Sequence, residues 1–371
     1  MSFVEYLAQQ SWDEVKLQIF SSNFDDVKQA ITTSRKSLRD IAALMSPAAD
    51  ELLEEMAQRA AELTRQRFGY TLSLFAPLYL SNLCANECTY CGFTMSNKIK
   101  RKTLSLDEIR QEAQALKKHG FESVLLVTGE HERKVGMEYF LDAIAVLKDY
   151  FPAIALEVQP LSQKDYLSLK HAGVNSVLVY QETYHRRQYA VHHQHGRKQD
   201  FDWRLTTPER LGRAGVAKIG LGALLGLSDC WRTDSVITAL HVQYLQQHFW
   251  RSRYSISFPR LRSCVGNSHS QQPISDRQLV QLICAQRIIH PDVELSLSTR
   301  EAATFRDNLM PLGITHLSAG SKTQPGGYSD KSETALAQFD IEDQRAPAQV
   351  AQAIKTRGFD PVWQDWLPEF C

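Results

Sequence analysis

Three of the seven cysteines fall in the run Cys84-Ala85-Asn86-Glu87-Cys88-Thr89-Tyr90-Cys91, a C-x3-C-x2-C spacing. Thiolates bind soft metals and iron–sulfur clusters. A structural zinc site usually takes four ligands, often from two distant C-x2-C pairs, and no second pair occurs here. A redox dithiol built on Cys88 and Cys91 would leave Cys84 without a task. Three thiolates on a four-iron cluster use all three and leave one iron open for chemistry. The remaining cysteines are scattered and the total is odd, which argues against a disulfide framework. Cys230, Cys264 and Cys284 read as buried or incidental thiols. His192, His193 and His195, with Arg186, Arg187 and Arg197 nearby, invite a metal reading, but a solvated or partner-facing loop fits their polar context better.

The cysteine run follows a short apolar segment, 71–82, that reads as a buried strand. From there strand-like and helix-like segments alternate. Strands are expected at 71–82, 123–129, 153–160, 176–182, 216–226, 253–260, 293–299 and 314–320. Amphipathic helices are expected at 106–120, 137–151, 163–173, 207–215, 234–250, 275–289, with Ser275 as N-cap, and 300–313. Parallel strands need crossover helices, and these strands are almost continuously apolar, as when both faces are buried. Eight such units predict an α/β fold, a closed (β/α)8 TIM-type barrel over 71–320, with an open doubly wound sheet as the alternative. Residues 1–70 read as an N-terminal helical extension, clearest at 49–69, where Gly69 sits at the stop. Residues 321–371 read as a C-terminal extension packed on the barrel, with one helix-like piece at 346–358. Chemistry in such a barrel sits at the C-terminal strand ends. Here those ends are rich in polar residues and glycine.

The cysteine spacing, its place after the first strand and the following Gly92-Phe93 resemble the signature of the radical S-adenosylmethionine (SAM) enzymes. The resemblance implies a 4Fe–4S cluster on Cys84, Cys88 and Cys91, with Phe93 beside it and the open iron chelated by the amino and carboxylate groups of SAM. One electron then cleaves the sulfonium to methionine and a 5′-deoxyadenosyl radical that abstracts hydrogen. Thr128-Gly129-Glu130 resembles the family's Gly-Gly-Glu stretch, which takes the amino group of SAM; it departs from it at the first position. Gly220 and Gly222 allow close approach to the backbone, where the family packs adenine. Glu157 and Gln159 are candidates for the ribose.

Ser298-Thr299-Arg300-Glu301 and the run from Ser318 to Tyr328 extend the resemblance, together with the stretches YLSNLC, CTYCGF, EVQPL, VYQETYH and GLGALLGL. Over about residues 70–330 they are similar to the aromatic amino acid lyases of the radical SAM family, above all to the tyrosine lyases that serve thiamine biosynthesis. The resemblance implies that Arg300 grips the substrate carboxylate with a planar, bidentate fork, against the alternative of a surface salt bridge to Glu301 or Asp307. It places Ser318, Ser321 and Tyr79 at the substrate. It implies hydrogen abstraction from the amino group of L-tyrosine and cleavage of Cα–Cβ to 2-iminoacetate (dehydroglycine) and p-cresol. The imine hydrolyses in water, so thiazole synthase is an expected protein partner, and a flavodoxin- or ferredoxin-type protein the expected electron donor. Tyrosine lyases of hydrogenase maturation add a C-terminal cysteine motif, whereas this sequence reaches only the single Cys371. A tryptophan-cleaving lyase is disfavoured by overall resemblance alone. A non-catalytic metal scaffold would leave the polar strand ends unexplained.

Lys+Arg and Asp+Glu number 42 each, so the basic surplus of a nucleic-acid binder is missing. No apolar run approaches the roughly 18 residues of a membrane span. The N-terminus lacks a basic-then-apolar signal pattern, so a cytoplasmic location is expected.

Overall fold

The computed structural model describes residues 1–262, 264, 274–329 and 337–364. Cys371 lies outside them. Eight parallel strands form the barrel: β1 (Thr71–Ser81), β2 (Ser123–Thr128), β3 (Ala153–Glu157), β4 (Val174–Leu178), β5 (Lys218–Gly222), β6 (Arg253–Ser257), β7 (Glu294–Leu297) and β8 (His316–Ser318). Each pairs with the next, and β8 returns to β1 through Ser73↔His316 and Phe75↔Ser318. That closing pair decides for the barrel over the open sheet.

Crossover helices cover the strands. Helices Leu106–Lys118, Gln163–Ala172 and Asp276–Ile289 begin with serine N-caps at Ser105, Ser162 and Ser275. Each cap accepts from the backbone three residues on and is answered by a capping-box side chain. Strand β4 stops at Leu178, short of the 176–182 segment expected. Beyond it the chain still runs beside β5: Gln181 N–H donates to the Gly222 carbonyl and Leu224 N–H to that of Glu182. Glu182 takes φ 69°, the sole positive φ of a non-glycine among the described residues. Such a conformation costs on the order of 1–3 kcal/mol and clusters at functional sites.

Five α-helices precede the barrel, ending in Leu53–Phe68. Gly69 follows at φ 62° and ψ −138°, a positive-φ conformation open to glycine, at the stop the sequence signals. This layer docks through polar bonds: Gln281 donates to the carbonyls of Leu44 and Ser46, and Arg277 pairs with Asp50. At the other end of the chain, helix Pro347–Thr356 leads to residues Asp360–Val362, which pair with Thr71–Ser73 of β1. The N-terminal rim of the barrel carries an ion cluster: Glu294 meets Lys218 at 2.7 Å, Arg253 at 3.1 Å and His316 at 3.3 Å. All four are first residues of strands, so this end of the barrel is committed to stability and the C-terminal mouth is left for ligands. No helix of the described residues is long and apolar enough to cross a membrane.

Candidate active site

The cysteine loop leaves β1 and is held from all sides. Asn82 bonds the backbone of Lys100 and Lys102. The Arg101 guanidinium donates to the carbonyls of Asn82, Phe93, Thr94 and Asn97, so one side chain fixes the return of the loop. Glu87 and Cys88 pair antiparallel with His193–His195. Thr89 Oγ1 meets His192 Nδ1 and Tyr90 OH meets His193 Nε2, both at 2.7 Å. This corrects the reading of the histidines as a solvated loop. His192 and His193 are buried and splint the cysteine loop, while His195 is exposed. Burial, reinforced by the Lys198 charge, pushes His193 down to about 2, so it stays neutral.

Cys84, Cys88 and Cys91 are free thiols; Cys88 is buried and the other two half-buried. Burial pushes Cys84 up to about 11, with the Glu130 and Cys91 charges adding to it, and raises Cys88 and Cys91 as well. Among the described residues no three His, Cys, Asp or Glu side chains converge at the spacing of a single ion. A four-iron cube spreads its cysteines farther apart than one ion does. Three free thiols on one braced loop, beside an open cavity, therefore fit a cluster with one iron left to a further ligand. Phe93 is fully buried and edge-on to Tyr79, with ring centroids 5.9 Å apart, in an apolar group with Leu125 and Val127. Cys84 and Cys91 pack on that group, so Phe93 forms the wall behind the thiols.

A cavity of about 1150 Å³, including space open to solvent, occupies the barrel mouth. Of the residues singled out from sequence, Tyr79, Cys91, Glu157, Arg300, Ser318 and Ser321 line it. Arg300 is half-buried, and its guanidinium lies 3.3 Å from the Phe339 ring centroid. The alternative salt bridges are taken elsewhere: Glu301 pairs with Arg260 and Arg262, and Asp307 with Arg345. Burial lowers the Arg300 pKa against the pull of Tyr79 and Glu157. A desolvated guanidinium facing a cavity favours an anionic ligand. Ser321 Oγ is buried without a partner, while Ser318 Oγ accepts from Thr299 N–H. Burial, with the Glu182 charge, pushes Glu157 up to about 7.

The other predicted residues do not line this cavity. Gln159 Nε2 donates to the Val135 carbonyl at 2.8 Å, while its Oε1 is buried without a partner. A Cβ at Gly220 would meet Leu178 Cγ at 2.4 Å, and one at Gly222 would meet Tyr180 and the Ser257 carbonyl at 2.9 Å. These glycines do permit close approach, but the groups that approach are the protein's own. At Gly129 a Cβ would meet the Leu83 carbonyl at 2.4 Å, so that glycine lets the cysteine loop lie on the end of β2. Thr128 Oγ1 is buried without a partner. Glu130 accepts from Asn86 at 2.8 Å and pairs with Arg204 at 2.9 Å. Burial alone would raise its pKa, but the Arg204 and Lys198 charges hold it below the usual carboxylate range.

Sequence reasoning missed Lys198, Arg204, Glu182 and Gln338. Lys198 pairs with Glu182 at 2.7 Å, and its backbone N–H donates to Asn86 Oδ1. Arg204 joins Glu130 to the Tyr180 carbonyl. Glu182 sat within a quoted stretch, and its position at a strand end was the available signal. The others arrive from distant segments.

The profile of the Radical SAM superfamily matches residues 78–236, and that of the Biotin and Thiamin Synthesis associated domain matches residues 257–360. The chain is 54% identical to the 2-iminoacetate synthase of Escherichia coli K12 over 365 residues, covering 98% of this chain and 97% of that protein. The enzyme of the same name from Salmonella typhimurium gives the same identity and coverage. Among solved structures, the FeFe-hydrogenase maturase HydG from Carboxydothermus hydrogenoformans superposes with a TM-score of 0.85 at 31% identity, over 97% of this chain and 82% of that one.

Proposed function

From the chain's membership of the 2-iminoacetate synthases, within the radical SAM superfamily, we infer the following use of its site. The protein is a carbon–carbon lyase. It cleaves Cα–Cβ of L-tyrosine to 2-iminoacetate and p-cresol, with 5′-deoxyadenosine and methionine as coproducts, for thiazole formation in thiamine biosynthesis. When bound, a 4Fe–4S cluster and SAM supply one-electron reduction and a hydrogen-atom acceptor, chemistry no side chain provides.

The residues bind, orient and shield. Cys84, Cys88 and Cys91 hold the cluster on a loop braced by Arg101 and His193. Arg300 receives the tyrosine carboxylate, and Ser321 supplies a buried hydroxyl with no internal partner. Tyr79, Phe93, Leu125 and Val127 make the wall that keeps water from a reactive site. The observation that carries this reading is Arg300: its fork is unclaimed by the neighbouring carboxylates and shares one cavity with Cys91. A direct test offers tyrosine and tryptophan in parallel under anaerobic, reducing conditions with SAM. Release of p-cresol from tyrosine is expected; an indole product from tryptophan alone would overturn the substrate.

Glu157 has a pH signature. As a carboxylate it accepts charge-assisted hydrogen bonds from ribose hydroxyls; as an acid it makes only the weaker neutral ones. With its titration at about 7, SAM binding tightens, by at most about tenfold, as pH rises from about 6 to about 8. Glu157→Gln flattens that profile in anaerobic calorimetry. A parent profile already flat would remove Glu157 from the ribose site.

Because the imine hydrolyses in water, we assign thiazole synthase as the protein partner that receives it. A flavodoxin or ferredoxin delivers the electron, and the enzyme works in the cytoplasm. The chain's similarity to the 2-iminoacetate synthases supports these assignments.

A further inference from the structure

Residues 337–339 cross the cavity mouth as a strap. The Gln338 backbone is fixed twice: its N–H donates to the Thr323 carbonyl at 2.9 Å, and its carbonyl accepts from Gly92 N–H at 3.2 Å. A Cβ at Gly92 would meet that carbonyl at 2.5 Å, so the glycine after Cys91 is what admits the strap. The side chain is fixed too. Gln338 Oε1 accepts from Tyr79 OH at 2.7 Å, and Nε2 donates to Cys91 Sγ at 3.7 Å. The sulfur decides which way the amide faces. A ligand thiolate can only accept, so the N–H points at Cys91, and the carbonyl oxygen on the other side is held by the Tyr79 hydroxyl.

We propose that Gln338 is a positioning residue that sets the reduction potential of the cluster, by an N–H···S hydrogen bond to the Cys91 ligand aimed by Tyr79. The proposal rests on the reading that Cys91 is a cluster ligand. Hydrogen bonds to the sulfurs are among the features that set iron–sulfur potentials. A donor on a ligand thiolate disperses its negative charge and favours the state with one more electron. The same strap also stacks Phe339 on Arg300, so the groups that hold substrate and the groups that tune the cluster share one short segment.

The test is a potential, read by EPR during anaerobic redox titration of the full-length, cluster-loaded protein. Gln338→Met and Gln338→Leu keep the bulk and remove the donor. Both are expected to retain four irons per chain and to titrate at a more negative potential than the parent. Tyr79→Phe, which releases the amide without removing it, shifts in the same direction by less. Potentials equal to the parent in the Met and Leu variants would overturn the proposal. So would loss of the cluster from both, because a tuning bond is not needed for assembly. Either failure is distinct from failure of the lyase reading, in which the parent itself would show no cluster signal that responds to SAM.

Discussion

Cys88→Ala abolishes SAM cleavage: 5′-deoxyadenosine falls to the level of the reductant blank, and iron falls below the roughly four per chain of a single cluster. The expectation follows from geometry. Cys88 is presented by a two-residue strand paired with His193, and its N–H is held by Thr94 Oγ1 at 2.8 Å. Cys230 and Cys284 are buried in other parts of the fold, so a loop this constrained has no route to recruit them. Cys84→Ala and Cys91→Ala behave alike, and Cys284→Ala leaves cleavage unchanged. Iron and 5′-deoxyadenosine assays on the anaerobically reconstituted variants decide it; sustained cleavage by Cys88→Ala would refute the ligand set.

Arg300→Lys separates holding the substrate from holding the cofactor. Lysine keeps the charge but loses the planar two-point grip and the stacking on Phe339. A charge-assisted hydrogen bond is worth roughly 1.5–3 kcal/mol, about ten- to a hundredfold in tyrosine affinity. A small misplacement of the amino group also lowers productive abstraction. The variant therefore shows a normal cluster signal and normal SAM binding, with 5′-deoxyadenosine formed in excess over p-cresol. Parent-like coupling at low tyrosine would remove Arg300 from the clamp. Loss of SAM binding would move it to the cofactor site.

The contrast between these residues and the ones missed shows what a sequence discloses. The thiol set is local: three residues within one loop, whose spacing points to cluster binding and carries the family resemblance. The barrel was legible because strands buried on both faces read as short continuous apolar runs while the crossover helices between them read as amphipathic stripes, and the cap at Ser275 marked one helix start. Arg300 could be singled out only through resemblance, since a basic residue at a strand end has many uses. Gly220 and Gly222 signalled close approach, but a missing side chain does not say what approaches; here it is Leu178 and Tyr180. The histidines looked solvated because composition is blind to pairing with a strand a hundred residues away. Gln338 was beyond reach for the same reason, as its partners Tyr79 and Cys91 are some 250 residues upstream.

The central claim is that this site couples SAM cleavage to breakage of the tyrosine Cα–Cβ bond. It is tested most directly by quantifying products after anaerobic incubation of the reconstituted protein with SAM, a one-electron reductant and L-tyrosine. The account predicts p-cresol and 5′-deoxyadenosine in near-equal amounts, with glyoxylate from hydrolysed imine in step with them. Abundant 5′-deoxyadenosine with no p-cresol would contradict it.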